Sequence, residues 1–96
     1  MNFVKIKEKV KSLILENKLE DDDMCLLFYM YCYLDDDNLV FVNDIPMDKK
    51  WIKEYSGLSI KLIEESIERL FNLDILSIVK ERDRIIFRLN RNYFEK

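Results

Sequence analysis

The sequence predicts one small domain that is mainly α-helical and carries a small β-sheet. Three observations support this fold class: apolar residues at helical spacing near the N-terminus, an eleven-residue apolar run at Met24–Leu34, and two apolar strand segments around a charged turn. The length of 96 residues suits a single domain. A hydrophobic fraction of 49% and a charged fraction of 36% are typical of a globular chain.

The first helix is predicted over residues 2–17. Its apolar residues recur at helical spacing and form one face: Phe3, Ile6, Val10 and Leu13. Lysines alternate with these residues, so the other sides of the helix are expected to be basic.

The second helix is predicted over residues 22–34. The acidic run Asp21–Asp23 suits a helix start. Carboxylates there accept hydrogen bonds from the free N–H groups and interact favourably with the positive end of the helix dipole. Met24–Leu34 has no polar face, so this helix is expected either to lie at the centre of the fold or to form a dimer seam. Cys25 and Cys32 would lie roughly 10.5 Å apart along the helix axis. That separation predicts two buried free thiols rather than a disulfide.

A turn at residues 36–38 and a short strand at Leu39–Val42 follow, and the dipeptide Ile45–Pro46 is expected to end that strand. Asp48 then caps a predicted short helix that continues through about Tyr55.

Gly57 and Ser59 mark a sharp turn between this helix and the next. Glycine supplies the positive φ of the turn, and the Ser59 hydroxyl caps a helix predicted over Ile60–Leu73. The apolar stripe of that helix is predicted to comprise Leu62, Ile63, Ile67, Leu70 and Phe71.

A β-hairpin is predicted over residues 75–90. Its strands are Ile75–Val79 and Ile85–Leu89, and a tight, charged connection over residues 80–84 joins them.

The segment from residue 51 to residue 76 carries a resemblance to a known family. It reads WIKEYSGLSIKLIEESIERLFNLDIL. This resembles the winged helix-turn-helix pattern of an apolar helix, a T/S-G-L-S turn and a recognition helix, with Ile63, Ile67 and Leu70 at the apolar positions. The resemblance covers about residues 38–90. One departure is Asp74, which stands where the family usually has a glycine-containing exit from the recognition helix.

The resemblance implies a helix-turn-helix at residues 48–73 and a wing at residues 75–90. The stretch before it, an apolar helix followed by Asp-Asp-Asp-Asn-Leu-Val-Phe-Val, is similar to small replication and transfer proteins of plasmids and phages in low-GC Gram-positive bacteria. The RepL-type plasmid initiators share this layout, as does the TcpK family of winged-helix conjugation accessory proteins. The latter resemblance implies binding of double-stranded DNA at a plasmid origin of transfer, as a relaxosome accessory factor. Replication initiation and transcriptional repression are the alternatives.

The net charge of −3 is unevenly distributed along the chain. Residues 1–19 and 80–96 each carry +3, residues 49–79 are neutral, and residues 20–48 carry −9. Because salt screens charges beyond about 8–10 Å, a local basic patch can bind phosphate despite the negative total.

The predicted recognition helix is a poor candidate for leading DNA contact. Its outward side carries Glu64, Glu65 and Glu68, which would meet phosphates in the usual binding mode. Contact is therefore expected to be led by the hairpin and the N-terminal segment. The candidate DNA-binding residues are Lys80, Arg82, Arg84, Arg88, Arg91, Lys5, Lys7, Lys9, Ser59 and Lys61.

Each of these charged groups also has an ordinary structural interpretation. A basic terminal hairpin can be a solvated edge that discourages strand aggregation, and the N-terminal lysines can be a solvated helix face. The three glutamates can pair with Lys61 and Arg69 at helical spacing. The second hypothesis for function is a protein-interaction winged helix, such as a phage-encoded inhibitor, that uses its acidic face and does not bind DNA.

No enzyme, cofactor or metal site is expected. The chain has no histidine, and the aspartate runs lack the glycine and glutamate of a calcium loop. A cytoplasmic location without membrane contact is expected, because no hydrophobic leader is visible and the longest apolar run is too short to span a bilayer. The expected partners are double-stranded DNA, other transfer or replication proteins, and a second copy of the chain that meets Met24–Leu34 and Tyr93–Phe94.

Overall fold

A computed structural model describes residues 5–95 except 7 and 17, and it describes side chains from residue 11 onward except 13 and 17. Helices and small antiparallel sheets together form a mixed α/β fold. In chain order the elements are β1 Lys5–Ile6, α1 Glu8–Leu15, α2 Asp21–Cys32, β2 Phe41–Val42, β3 Ile45–Pro46, α3 Lys49–Ser56, α4 Ile60–Asn72, β4 Leu76–Glu81, β5 Arg84–Leu89 and β6 Phe94–Glu95.

The β4–β5 hairpin is the longest strand pairing in the described part of the chain, and its register runs from Leu76 opposite Leu89 to Glu81 opposite Arg84. A short segment of chain joins the other edge of β5. Leu39 forms an antiparallel bridge with Arg88, and the Val40 amide donates to the Phe87 carbonyl at 2.9 Å. The hairpin and this segment therefore form a small three-stranded arrangement with β5 at its centre.

The core lies where α2 and α4 meet the inner side of this sheet, and α3 packs against both helices. Its side chains are apolar and come from every one of these elements. They are Leu26, Leu27, Met30, Leu34, Val40, Met47, Ile52, Ile63, Leu70, Ile75, Leu76, Phe87, Leu89 and Phe94. Burial of this set supplies the main driving force that holds the helices on the sheet.

The helix predicted over residues 2–17 is wrong at its beginning. Lys5–Ile6 is a strand that pairs antiparallel with Phe94–Glu95, and the helix begins only at Glu8. Segments that are far apart in the sequence pair here, and this pairing is not encoded in the local periodicity. Residues 2–4, 7 and 17 of the predicted helix lie outside the described residues.

The interpretation of Ile45–Pro46 as the end of a strand is also wrong. These residues form β3, which pairs back onto Phe41–Val42. Asn43 and Asp44 make the turn between the strands with φ values of 50° and 66°. Two consecutive positive φ values are typical of a type I′ turn, which Asn and Asp tolerate better than most residues. The Asn-Asp dipeptide was the available signal for this hairpin.

The second helix spans Asp21–Cys32, against the predicted 22–34, and ends before the acidic run as expected. Its N-cap is Glu20 rather than an aspartate, with Asp23 completing a reciprocal capping box. Both cysteines are free, as expected. The prediction that they are buried is wrong, because Cys32 is exposed and Cys25 is half-buried.

The boundaries around the inter-helix turn agree with the predictions. The Asp48 carboxylate accepts from the Trp51 amide at 2.8 Å, and the Ser59 hydroxyl accepts from the Leu62 amide at 3.2 Å. Gly57 lies between them with φ of 78°.

The predicted apolar stripe of α4 is right only in part. Ile63 and Leu70 are buried and Ile67 is half-buried. Leu62 and Phe71 are exposed, since they lie at the two edges of a stripe that the core covers only along its centre. Ser66 is fully buried in their place.

The turn of the C-terminal hairpin is shorter than predicted. The strands extend through Glu81 and Arg84, so only Arg82 and Asp83 remain as the loop, with Arg82 at φ of 56°. A two-residue loop of this kind matches the right-handed twist of the strands.

Candidate nucleic-acid interface

The turn end of the β4–β5 hairpin carries three exposed basic side chains: Lys80, Arg82 and Arg84. Residues directly opposite each other in an antiparallel pair share a face. Lys80 therefore shares a face with Ile85, Arg84 shares the other face with Glu81, and Arg82 lies in the loop between them. The three charges surround the tip of the hairpin rather than forming a row on one side.

These three cations are not equally available to a ligand. Arg84 pairs with Glu81 at 3.3 Å, and its guanidinium lies over the Phe41 ring at 5.9 Å. This exposed pair is worth little in stability, but it occupies part of the guanidinium. Lys80 and Arg82 have no ion-pair partner among the residues that the structure describes. They are the cations of the tip that are best placed to meet phosphate.

Arg88 and Arg91 lie at the base of the hairpin, apart from the tip. Arg88 donates from Nε to the Ser77 hydroxyl at 3.1 Å, and Arg91 donates to the Asp36 carbonyl at 2.9 Å. Both line a polar cavity of about 520 Å³, whose other charged residues are Asp37 and Asp74. The acidic neighbours offset part of the positive potential of the two arginines.

The N-terminal candidates are not brought to the hairpin by any described contact. Lys5 belongs to β1, where its backbone pairs with Glu95, and Lys9 belongs to α1. The side chains of both, and the whole of Lys7, lie outside what the structure describes.

The outward side of α4 is acidic, as the sequence indicates. Lys61 is exposed there beside three exposed carboxylates, and the Ser59 hydroxyl is occupied as the helix cap. Ile60, Ile67 and Lys49 complete a groove of about 540 Å³ on this side, whose carboxylates are Glu64, Glu65 and Glu68. A phosphate backbone would be repelled from this groove at low salt.

Arg69 does not pair with a neighbouring glutamate of α4 as predicted. Its Nε and NH2 groups reach both carboxylate oxygens of the fully buried Asp23 at 3.0–3.1 Å, and NH2 lies 3.3 Å from Glu20. Hydrogen bonding to Asp23, together with the charges of Asp23, Glu20 and Glu65, raises the pKa of Arg69 against the opposing effect of partial burial. This pair fixes α4 on α2. The two residues are 46 positions apart, so no sequence pattern could have found it.

Asn38 is a second residue whose structural role was not predicted from the sequence. Its buried side-chain amide donates to the Leu89 carbonyl at 2.9 Å and to the Phe94 carbonyl at 2.8 Å. It thereby ties the end of β5 to β6, with a backbone φ of 62° that Asn tolerates. The only signal in the sequence was its place at the end of the predicted turn.

Comparisons with protein-family models, with curated proteins and with solved structures find no match to the chain. None of the helices in the described residues is long and apolar enough to cross a membrane. Within the same residues, no three Cys, Asp or Glu side chains are grouped so that they could hold a metal ion.

Proposed function

We propose that the chain is a single winged-helix domain, with the helix-turn-helix at residues 48–73 and the wing at residues 75–90. Support comes from the element order α2, strand segment, α3, sharp turn, α4 and hairpin. It also comes from the pairing of Leu39 with Arg88, which places the strand segment before the helix-turn-helix beside the second strand of the proposed wing.

The turn that follows α4 also supports the proposed fold. It contains Asp74, the position at which the sequence departs from the family pattern. Asp74 occupies the glycine position and adopts a left-handed conformation with φ of 60°. Asn90 donates to the Asp74 carbonyl at 2.8 Å and holds the strained turn. The backbone geometry for which the family uses glycine is thus present without it.

The function proposed for this fold is binding of double-stranded DNA, led by the wing. The observation that carries it is the exposed hairpin tip, where Lys80 and Arg82 lack an ion-pair partner among the described residues. A basic hairpin tip can contact phosphates or enter a groove. Arg84, Arg88 and Arg91 contribute from the sides and base of the hairpin.

The recognition helix has a secondary role in this proposal. The carboxylates of α4 disfavour deep entry into the major groove, although a glutamate can accept a hydrogen bond from cytosine N4. Ser59 and Lys61 are the α4 residues assigned to contacts at its N-terminus.

The proposed setting is a mobile genetic element, in which the protein binds a plasmid origin of transfer in the cytoplasm as an accessory factor of the relaxosome, with other transfer proteins as further partners. The proposed assembly is a homodimer. Replication initiation and transcriptional repression are the alternatives within DNA binding. Repeats in the bound DNA would show that the protein binds as a dimer, because a dimer imposes a fixed half-site spacing.

The direct test is a salt titration of binding to a random-sequence duplex of about 30 base pairs. Lys80→Ala/Arg82→Ala should lower the slope of log K against log salt by about 2, because each phosphate contact contributes about 0.9 to that slope. Arg82→Ala/Arg84→Ala should lower it by between about 1 and 2, because Glu81 already occupies part of the Arg84 guanidinium. Glu64→Lys should strengthen binding only slightly, because α4 does not lead the contact in this proposal.

Lys18→Ala/Lys53→Ala is the matched control, since both lysines are exposed and lie outside the hairpin. It removes two charges and should leave the slope nearly unchanged. If either wing double variant binds with the affinity and slope of the original chain, the wing does not lead the contact.

The acidic side of α4 favours a second candidate function, docking to a basic protein surface. The groove beside Glu64, Glu65 and Glu68 is open and carries only Lys49 and Lys61 as counter-charges. If no duplex shifts at low salt, this candidate replaces the first. The Glu64→Lys variant would then weaken capture of the basic partner while the wing variants would not.

A further inference from the structure

The side of α2 that faces away from the core carries apolar residues. Met24, Phe28 and Cys32 follow one another at i, i+4 spacing on that side, and all three are exposed. No lysine or arginine occurs in this helix, whose sequence is DDDMCLLFYMYC. A helix that faced only solvent would turn polar residues outward. The outer side of α2 therefore has the composition of an interface.

Aromatic rings continue this surface from α2 onto α3. The Phe28 and Tyr29 ring centroids are 6.0 Å apart, those of Tyr29 and Trp51 5.8 Å, and those of Trp51 and Tyr55 4.5 Å. The Tyr29 hydroxyl also donates to the Tyr55 carbonyl at 2.9 Å, which holds the two helices together. The α2 surface is defined here as Met24, Phe28, Cys32, Tyr33 and Tyr55.

We propose that the α2 surface is the contact between two copies of this chain, related by a two-fold axis beside Phe28. When two copies of a helix pack antiparallel about such an axis, each residue n positions before Phe28 meets the residue n positions after it. Phe28 then meets Phe28 of the second copy, and Met24 meets Cys32 of the second copy. The stripe is symmetrical about its centre, so it is complementary to itself.

The exposed apolar area is close to what a stable dimer needs. The exposed fractions are 39% for Met24, 63% for Phe28, 40% for Tyr33 and 59% for Tyr55. At about 200 Å² for a whole side chain of this size, they amount to about 400 Å² per copy. A standard interface buries about 800 Å² per partner, of which somewhat more than half is apolar. The α2 surface thus supplies most of the apolar part.

The charges at the ends of α2 give the dimer a distinctive salt dependence. Asp21 is exposed in the first turn of α2, and Asp36 and Asp37 are exposed just after its C-terminal end, so an antiparallel arrangement of two copies brings negative charges toward each other at the rim. Salt screens this repulsion, and the dimer should bind about fivefold tighter in 0.5 M than in 0.05 M salt. DNA binding has the opposite dependence.

This inference rests on the homodimer of the proposed function and specifies its interface. Its test contains no DNA, so the dimer and the DNA-binding proposal can fail independently. Sedimentation equilibrium from about 1 to 200 µM should show a dimer of the original chain. Phe28→Glu should raise the dissociation constant at least about 100-fold, because it puts two carboxylates at the axis. Phe71→Glu is the matched control, since Phe71 is 47% exposed on α4, and it should leave the constant unchanged.

Cross-linking provides a second readout that does not depend on a destabilising charge. In a Cys25→Ser/Cys32→Ser background, Phe28→Cys should form a disulfide-linked dimer rapidly under mild oxidation, because side chains at the axis face each other. Phe71→Cys in the same background should not. A monomeric original chain at 200 µM would overturn the proposal, as would equal cross-linking at positions 28 and 71. Weakening of the dimer by salt, or a Phe28→Glu variant that dimerises like the original, would also overturn it.

Discussion

Replacing Asp23 by Asn removes the charge at the centre of the α2–α4 contact while keeping the size of the side chain. Asp23 is fully buried and accepts three hydrogen bonds from Arg69, at 3.0–3.1 Å. It also accepts from the Glu20 amide at 2.9 Å. The substitution leaves a guanidinium without its principal counter-charge, and the amide has one acceptor oxygen where the carboxylate offered two to Arg69 and the Glu20 amide.

The magnitude follows from the burial of the two partners. Removing one member of a buried ion pair costs about 3–5 kcal/mol. The Arg69 side chain is 31% exposed and recovers some hydration, so the low end of that range applies. We expect Asp23→Asn to lower the free energy of unfolding by about 3 kcal/mol, and the melting temperature by roughly 12–24 °C for a domain of this size.

The assay is urea unfolding monitored by far-UV circular dichroism. An unchanged m-value shows that the substitution alters stability and not the surface exposed on unfolding. Asp21→Asn is the control, since Asp21 is exposed in the same first turn and shares only the helix-dipole effect of about 0.3–1 kcal/mol. A double-mutant cycle with Arg69→Met isolates the pair. If Asp23→Asn loses less than about 1 kcal/mol, or loses no more than Asp21→Asn, the pair does not hold α4 on α2.

Substitutions at three further positions test local features by urea or thermal unfolding. Gly57→Ala should lower the free energy of unfolding by about 1–2 kcal/mol. The loss comes from backbone strain alone, because the added Cβ would meet nothing within 4 Å. Gly57→Asn should lower it less, and equal losses would contradict this reasoning. Ser59→Ala should lower the free energy of unfolding by about 1 kcal/mol, because it removes the N-cap of α4, whereas Ser59→Asp should retain that stability. An unchanged melting temperature for Ser59→Ala would show that the cap contributes nothing. Burial raises the pKa of Tyr31 above its ordinary 10.0, so the stability it contributes is complete below pH 10 and is lost as the pH rises through the folded pKa. Tyr31→Phe should therefore lose less stability than the original chain on going from pH 8 to about pH 11, and an equal loss would assign the alkaline sensitivity to other groups.

Local chemistry accounts for the parts of the fold that were predicted well. Asp48, Gly57 and Ser59 each act on the backbone within three or four residues, so these residues determine where α3 begins and ends and where α4 begins. The exposed acidic side of α4 and the basic hairpin tip could also be predicted, because strand alternation and helix periodicity assign charged residues to the outer sides.

The remaining features depend on contacts between distant parts of the chain. The Lys5–Ile6 strand exists because Phe94–Glu95 returns beside it, and no local signal distinguished it from the start of a helix. The Arg84 guanidinium is placed over Phe41 by the arrangement of two hairpins. Sequence could identify the basic residues of the hairpin, whereas only the structure showed which of them are already occupied.

The apolar helix α2 shows the division between sequence and tertiary structure most clearly. Its sequence determined by itself that no side of Met24–Leu34 is suited to water, which led to the two alternatives of a central helix or a dimer seam. Only the tertiary structure decided that Leu26, Leu27 and Met30 face the core while Met24 and Phe28 remain exposed. The reason is physical: a helix with apolar residues on all sides has no preferred rotation of its own. The buried pair of Asp23 with Arg69, formed across 46 residues, sets the rotation that the apolar residues leave undetermined.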